Sequence, residues 1–124
     1  MRLLKIYRIT RMDVFEMKFA KVFPLLIAKA ERKGRTRDEV FEVTKWLLGY
    51  SQEELEALLE SDASYGDFID HAPAKNPDRM NIKGMICGIK IEKIEDPRMR
   101  DVRILDKLVD DLAKGKDINR IIQL

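Results

Sequence analysis

Cysteine and histidine each occur once, at Cys87 and His71. An internal disulfide is therefore impossible, and no CxxC, HxxH or HExxH spacing exists. A metal site needs several such ligands converging, and one histidine 16 residues from one cysteine does not supply it, so no metal and no cofactor is expected. With no secretory signal ahead of it, a lone thiol fits a reducing, cytoplasmic setting. Long apolar runs are also missing. The longest covers residues 22–28 and contains Pro24, against the roughly 18 residues a membrane helix requires, so no membrane span is expected. With six glycines in all, there is no glycine-rich loop of the kind that wraps phosphate after a strand.

What the chain does have is apolar content and charge. At 124 residues and 45% apolar it fits one domain around one core, large enough to fold without covalent or metal staples. The net charge of +2 conceals a polar layout. Residues 1–37 carry 11 Lys/Arg against 3 Asp/Glu (+8), residues 38–72 carry 1 against 10 (−9), and residues 73–124 carry 12 against 9 (+3). A basic block can attract nucleic acid or phosphate. It can equally meet the acidic block, within one chain or between subunits, and that complementarity is the preferred reading.

Helix punctuation recurs at helix-length intervals. Thr36-Arg37-Asp38-Glu39 and Ser51-Gln52-Glu53-Glu54 have capping-box form, and Asn76-Pro77 and Asp96-Pro97 put a capping side chain before a first-turn proline. Gly34, Gly49, Gly88 and Gly115 stand where left-handed C-caps belong. This predicts a helix ending near Lys33, then helices over 37–48, 52–60, 65–71, 77–87, 97–114 and 117–123. Pro24 either kinks the first helix or delays its start to Phe23. Residues 2–9 lack a helical stripe and read as a short extended segment. The expected fold is all-α, a compact multi-helix single domain with short glycine-capped turns. The stripe of Val102, Leu105, Val109 and Leu112 marks helix 97–114 as the centre of the core. Val43, Trp46 and Leu47 share a face that should bury Trp46, and Cys87 is expected buried in a last helical turn. A 39-residue shift aligns Gly49 with Gly88 and Trp46 with Met85. The ordinary likeness of two amphipathic helices joined by a glycine turn is the preferred account of that echo, and a pseudo-symmetric pair of helical hairpins is the alternative.

Several strings taken together resemble a known family. These are residues 28–36 (AKAERKGRT), Trp46-Leu47-Leu48-Gly49-Tyr50, Ile82-Lys83-Gly84 with Cys87-Gly88, and residues 94–97 (IEDP) leading through Leu105-Asp106-Lys107-Leu108 to Ala113-Lys114-Gly115-Lys116. The family is a group of small prokaryotic proteins numbered twenty-two hundred among domains of unknown function. The resemblance runs from about residue 13 to the C-terminus and implies no activity. It also implies that residues 1–12 are an N-terminal extension and residues 13–124 the helical domain.

Candidate chemistry is sparse. A Cys87–His71 dyad is disfavoured, because a helix C-terminus raises a thiol pKa when a nucleophile needs it lowered. The strongest anion candidate is the cluster Arg32, Lys33, Arg35, Thr36 and Arg37 around a helix N-terminus. Ordinary complementation of two helix dipoles accounts for the same residues and is preferred. Residues 47–55 resemble a helix-turn-helix turn, but the second helix would present Glu53, Glu56 and Glu60 to phosphates, which excludes it. With no acid, base or nucleophile evident, the sequence points to a non-enzymatic helical protein working through protein contacts, as a homo-oligomer. The alternative is a binder of phosphate-bearing ligands or nucleic acid through the basic N-terminal third.

Overall fold

The structure, a computed structural model, describes residues 11–122. The extended segment expected at residues 2–9 lies outside them. A short helix α1 (Arg11–Glu16) is followed by α2 (Phe19–Glu31), α3 (Arg37–Leu48), α4 (Gln52–Leu59) and α5 (Tyr65–Asp70). A 3-10 turn (Pro77–Asn81), a hairpin of β1 (Met85–Ile86) and β2 (Ile89–Lys90) and a second 3-10 turn (Ile91–Lys93) lead to the long α6 (Pro97–Ala113) and the terminal α7 (Ile118–Ile121). The fold is thus helical, with one two-stranded antiparallel sheet among the described residues.

Most boundaries follow from local chemistry. Both expected capping boxes form: the Thr36 hydroxyl accepts the Glu39 N–H at 3.1 Å, and the Ser51 hydroxyl accepts that of Glu54 at 3.1 Å. A third, Ser64 with Asp67, opens α5. At the close of α3, Gly49 adopts φ +81°. The Ala74 backbone comes so near that a Cβ on Gly49 would meet it at 2.7 Å. That approach lets the Ala74 and Asn76 N–H groups cap the carbonyls of Leu48 (3.0 Å) and Leu47 (2.9 Å), which a helix end otherwise leaves unmet. Helix α2 starts at Phe19, ahead of Pro24, and carries that proline on its exposed side. The chain breaks just before it at Lys18, which forms an isolated antiparallel bridge with Ser64.

Helix α6 is the axis of the molecule, packed by α2, α3, α5, α7 and β1. Its stripe of Val102, Leu105, Val109 and Leu112 is fully buried, as the three-four spacing predicts. Beside it, Phe19, Phe23, Phe41, Tyr65 and Phe68 form a ring cluster with neighbouring centroids 4.6–6.3 Å apart. Because α6 is enclosed on nearly every side, Asp101, Arg103, Asp106 and Asp111 are buried as well. Asp101 is held by Lys75 (3.0 Å) and Arg79 (2.8 Å). Buried charge is stable only when paired in this manner.

Three expectations fail: a helix over 77–87, a buried Cys87 and a buried Trp46. Residues 77–87 are not a helix. Asn76 does cap, its side chain accepting the Asp78 N–H at 2.9 Å, yet it opens only a 3-10 turn. Gly84 then takes φ +117° and Cys87-Gly88 take φ +53° and +78°, the positive pair that closes a two-residue hairpin between isoleucine-bearing strands. Cys87 is accordingly exposed at a hairpin tip, not buried in a helical turn. The 39-residue echo is no structural repeat, since its first copy is two helices and its second a hairpin. Finally, Trp46 is only partly buried and packs against the core's edge, while Val40, Phe41, Val43, Leu47 and Leu48 carry the buried face of α3.

Candidate functional site

The turn from Arg32 to Arg37 keeps all five sequence-derived anion candidates close together, but it turns them in opposite directions. Arg35 points inward. Its guanidinium meets Glu39 through Nε (3.1 Å to each oxygen) and Nη2 (2.6 Å), and its Nη1 donates to the carbonyls of Leu112 (3.0 Å) and Lys116 (2.7 Å) at the end of α6. The Arg35 bonds, with help from the Thr36 N–H and hydroxyl, hold the Glu39 carboxyl down at about 2. Arg37 forks onto Glu56 at 2.8 and 3.1 Å and lies 4.3 Å above the Phe41 ring. The Thr36 hydroxyl is occupied as a helix cap. Arg32 and Lys33 remain exposed and make no ion pair among the described residues. Together with Lys18–Asp62 (3.1 Å), these pairs join the basic first third to the acidic stretch within one chain.

A second region lies at the hairpin. A cleft of about 350 Å³ opens between β2, the loop at residues 94–96 and the first turns of α6. Its walls are Ile89, Ile94 and Met99, with Lys93 and Asp96 also lining it and Arg103, only 4% exposed, as its guanidinium-bearing side. The Cys87 thiol belongs to this neighbourhood. Desolvation first and the Asp106 carboxylate second push its pKa up, while Arg103, which also hydrogen-bonds it, and Lys29 act the other way. A raised pKa suppresses the thiolate, so this cysteine is no activated nucleophile. The Tyr65 hydroxyl, in the ring cluster, is fully buried, and burial first and the Asp106 carboxylate second drive its pKa well up. Sequence reasoning did not find this cleft. The local signal for it is Gly84 with Gly88, two glycines four residues apart, of which Gly88 alone is read above, as a helix C-cap.

Among the described residues, no group of three His, Cys, Asp or Glu side chains could hold a metal ion, and no helix is long and apolar enough to cross a membrane. No curated protein matches the chain. A solved relative does: the crystal structure of uncharacterized protein SP1917 is 49% identical, superposes with a TM-score of 0.86, and the match covers 89% of this chain and 90% of that one. The family model for uncharacterized proteins conserved in bacteria, DUF2200, matches residues 13–123, and this chain belongs to that family.

Proposed function

We propose that this protein works by contact, not catalysis, and associates with a second copy of itself through the face formed by residues 80–96. The observation that carries this reading is the placement of Met80 and Met85. They are the large apolar side chains left about half in solvent among the described residues, at 46% and 50%. Both belong to the segment that runs from the first 3-10 turn into the hairpin, beside the isoleucine-walled cleft. Methionine suits such a surface, since an unbranched thioether adapts to an irregular partner. The internal pairing of Arg35 and Arg37 supports the same reading, because guanidinium groups engaged by Glu39 and Glu56 offer less to a nucleic acid backbone.

Sedimentation velocity across a wide concentration range tests it. Wild type should run as a multiple of the 14.5 kDa chain, and Met80→Glu/Met85→Glu should run as the single chain with unchanged helicity. A wild-type protein that stays at 14.5 kDa at every concentration rules the self-association out.

A further inference from the structure

At the edge of that face, a cleft of about 250 Å³ opens where the loop before the hairpin, at Asn81 to Lys83, meets the C-terminal end of α6. Lys83, Lys116, Arg120 and Asp111 line it, with the buried Ile82 and Ile121 beside them. The three cations come from three separate parts of the chain: Lys83 precedes β1, Lys116 follows α6, and Arg120 lies on α7. The single lining carboxylate is already shared, since Asp111 accepts Lys107 at 3.1 Å and Lys116 at 3.3 Å. Glu92, across the loop from Lys83, is engaged by the Gly84 N–H at 3.2 Å. Lys83 and Arg120 make no ion pair among the described residues. Three lining cations against one carboxylate leave an excess of two positive charges; Lys107 behind Asp111 adds one and the Glu92 carboxylate, which interacts with Lys83, takes one away, so the excess stays at two.

We propose that this cleft binds the phosphoryl end of a small molecule. A concave site focuses the field of its charges, so the excess acts on a ligand more strongly than the same lysines spread over a convex surface. Arg120 offers a planar fork for two phosphate oxygens, and the lysines add mobile point charges. The charge excess matches a phosphate dianion better than a monocarboxylate. The volume falls below the range of about 300–1,000 Å³ that encloses a whole drug-sized ligand. It therefore fits an oxyanion head, with the rest of the ligand outside. Asp111 has a positioning role: it tethers Lys116 and Lys107 at the back of the cleft and leaves Lys83 and Arg120 to meet the ligand.

Calorimetric titration with inorganic pyrophosphate decides the matter. One saturable site per chain is expected, weakening as sodium chloride rises, because the contacts are charge-assisted and partly exposed. Lys83→Ala/Arg120→Ala should weaken binding roughly tenfold or more, through loss of two contacts to a charged group. Its melting temperature should stay at the wild-type value, since neither side chain is committed to an ion pair. Arg32→Ala/Lys33→Ala, at the other basic turn, should bind as wild type does. Equal affinity in the Lys83/Arg120 variant, loss of binding in the Arg32/Lys33 variant instead, or saturable binding to single-stranded RNA without any to pyrophosphate would each overturn the assignment.

Discussion

Replacing Arg35 by alanine is the sharpest test of how the charge layout is used. The substitution removes a forked pair with Glu39, whose side chains are only 16% and 27% exposed, and two bonds to the carbonyls of Leu112 and Lys116. Hydrogen bonds to a charged group contribute about 1.5–3 kcal/mol each when no water replaces them, but the Lys116 end is exposed and water can take over there. A net loss of about 2–3 kcal/mol follows, which for a chain of this size lowers Tm on the order of 10 °C. Arg35→Lys should recover only part of it, because one ammonium cannot reach Glu39 and both carbonyls in a fixed fork. The pH dependence gives a second reading. Glu39 titrates at about 2 in the folded protein against 4.5 as its ordinary value, so its contribution is fully present above that ordinary value and is lost as pH falls toward 2. After allowance for its exposed edge, that contribution is about 1–2 kcal/mol. The gap between urea melts of wild type and Arg35→Ala should therefore narrow from neutral pH to pH 3 by the Glu39 share, while the share from the Leu112 and Lys116 carbonyls persists. A variant within about 0.5 kcal/mol of wild type at neutral pH would show that the Arg35 network adds no net stability.

Two glycines with similar dihedrals should respond differently to alanine. Gly34→Ala, at φ +84° with open space around it, should cost about 1–2 kcal/mol from the left-handed backbone alone. Gly49→Ala, at φ +81°, must also displace the Ala74 backbone, and overpacking adds about 1–3 kcal/mol to that cost; equal melts for the two would refute the close approach. Cys87, exposed but with its pKa raised, should label with a thiolate-specific reagent in the folded protein without denaturant, and the pH–rate profile should lie at higher pH than that of free cysteine. Labelling faster than free cysteine at neutral pH would mean that Arg103 and Lys29 dominate the thiol's surroundings.

The sequence was sufficient wherever the deciding interaction spans a few residues. A capping box closes over three residues, so Thr36 with Glu39 and Ser51 with Glu54 announced the starts of α3 and α4, and Gly34 and Gly49 announced turns that need φ near +80°. The apolar stripe of α6 was legible for the same reason, because helical periodicity repeats within one turn. Ser64 with Asp67 carries an equally local signal for the start of α5. What failed was the stretch from Asn76 to Gly88, where a capping signal and apolar spacing argued for helix while Gly84 and Cys87-Gly88 argued for turns. Packing of β1, with its buried Ile86, against α6 goes with the turns. The basic turn shows the limit most clearly. Its composition identifies Arg35 as a cation near a helix start and Glu39 as a capping residue, and the pair between them appears only in the structure. Nothing local could show that the remaining Arg35 donors reach the carbonyl of Leu112, 77 residues on, or that Lys83, Lys116 and Arg120 gather at one cleft. Those proximities exist only after α6 has been enclosed by α2, α3, α5 and the hairpin, because burial of its apolar stripe, not attraction among the charges, brings the distant segments together.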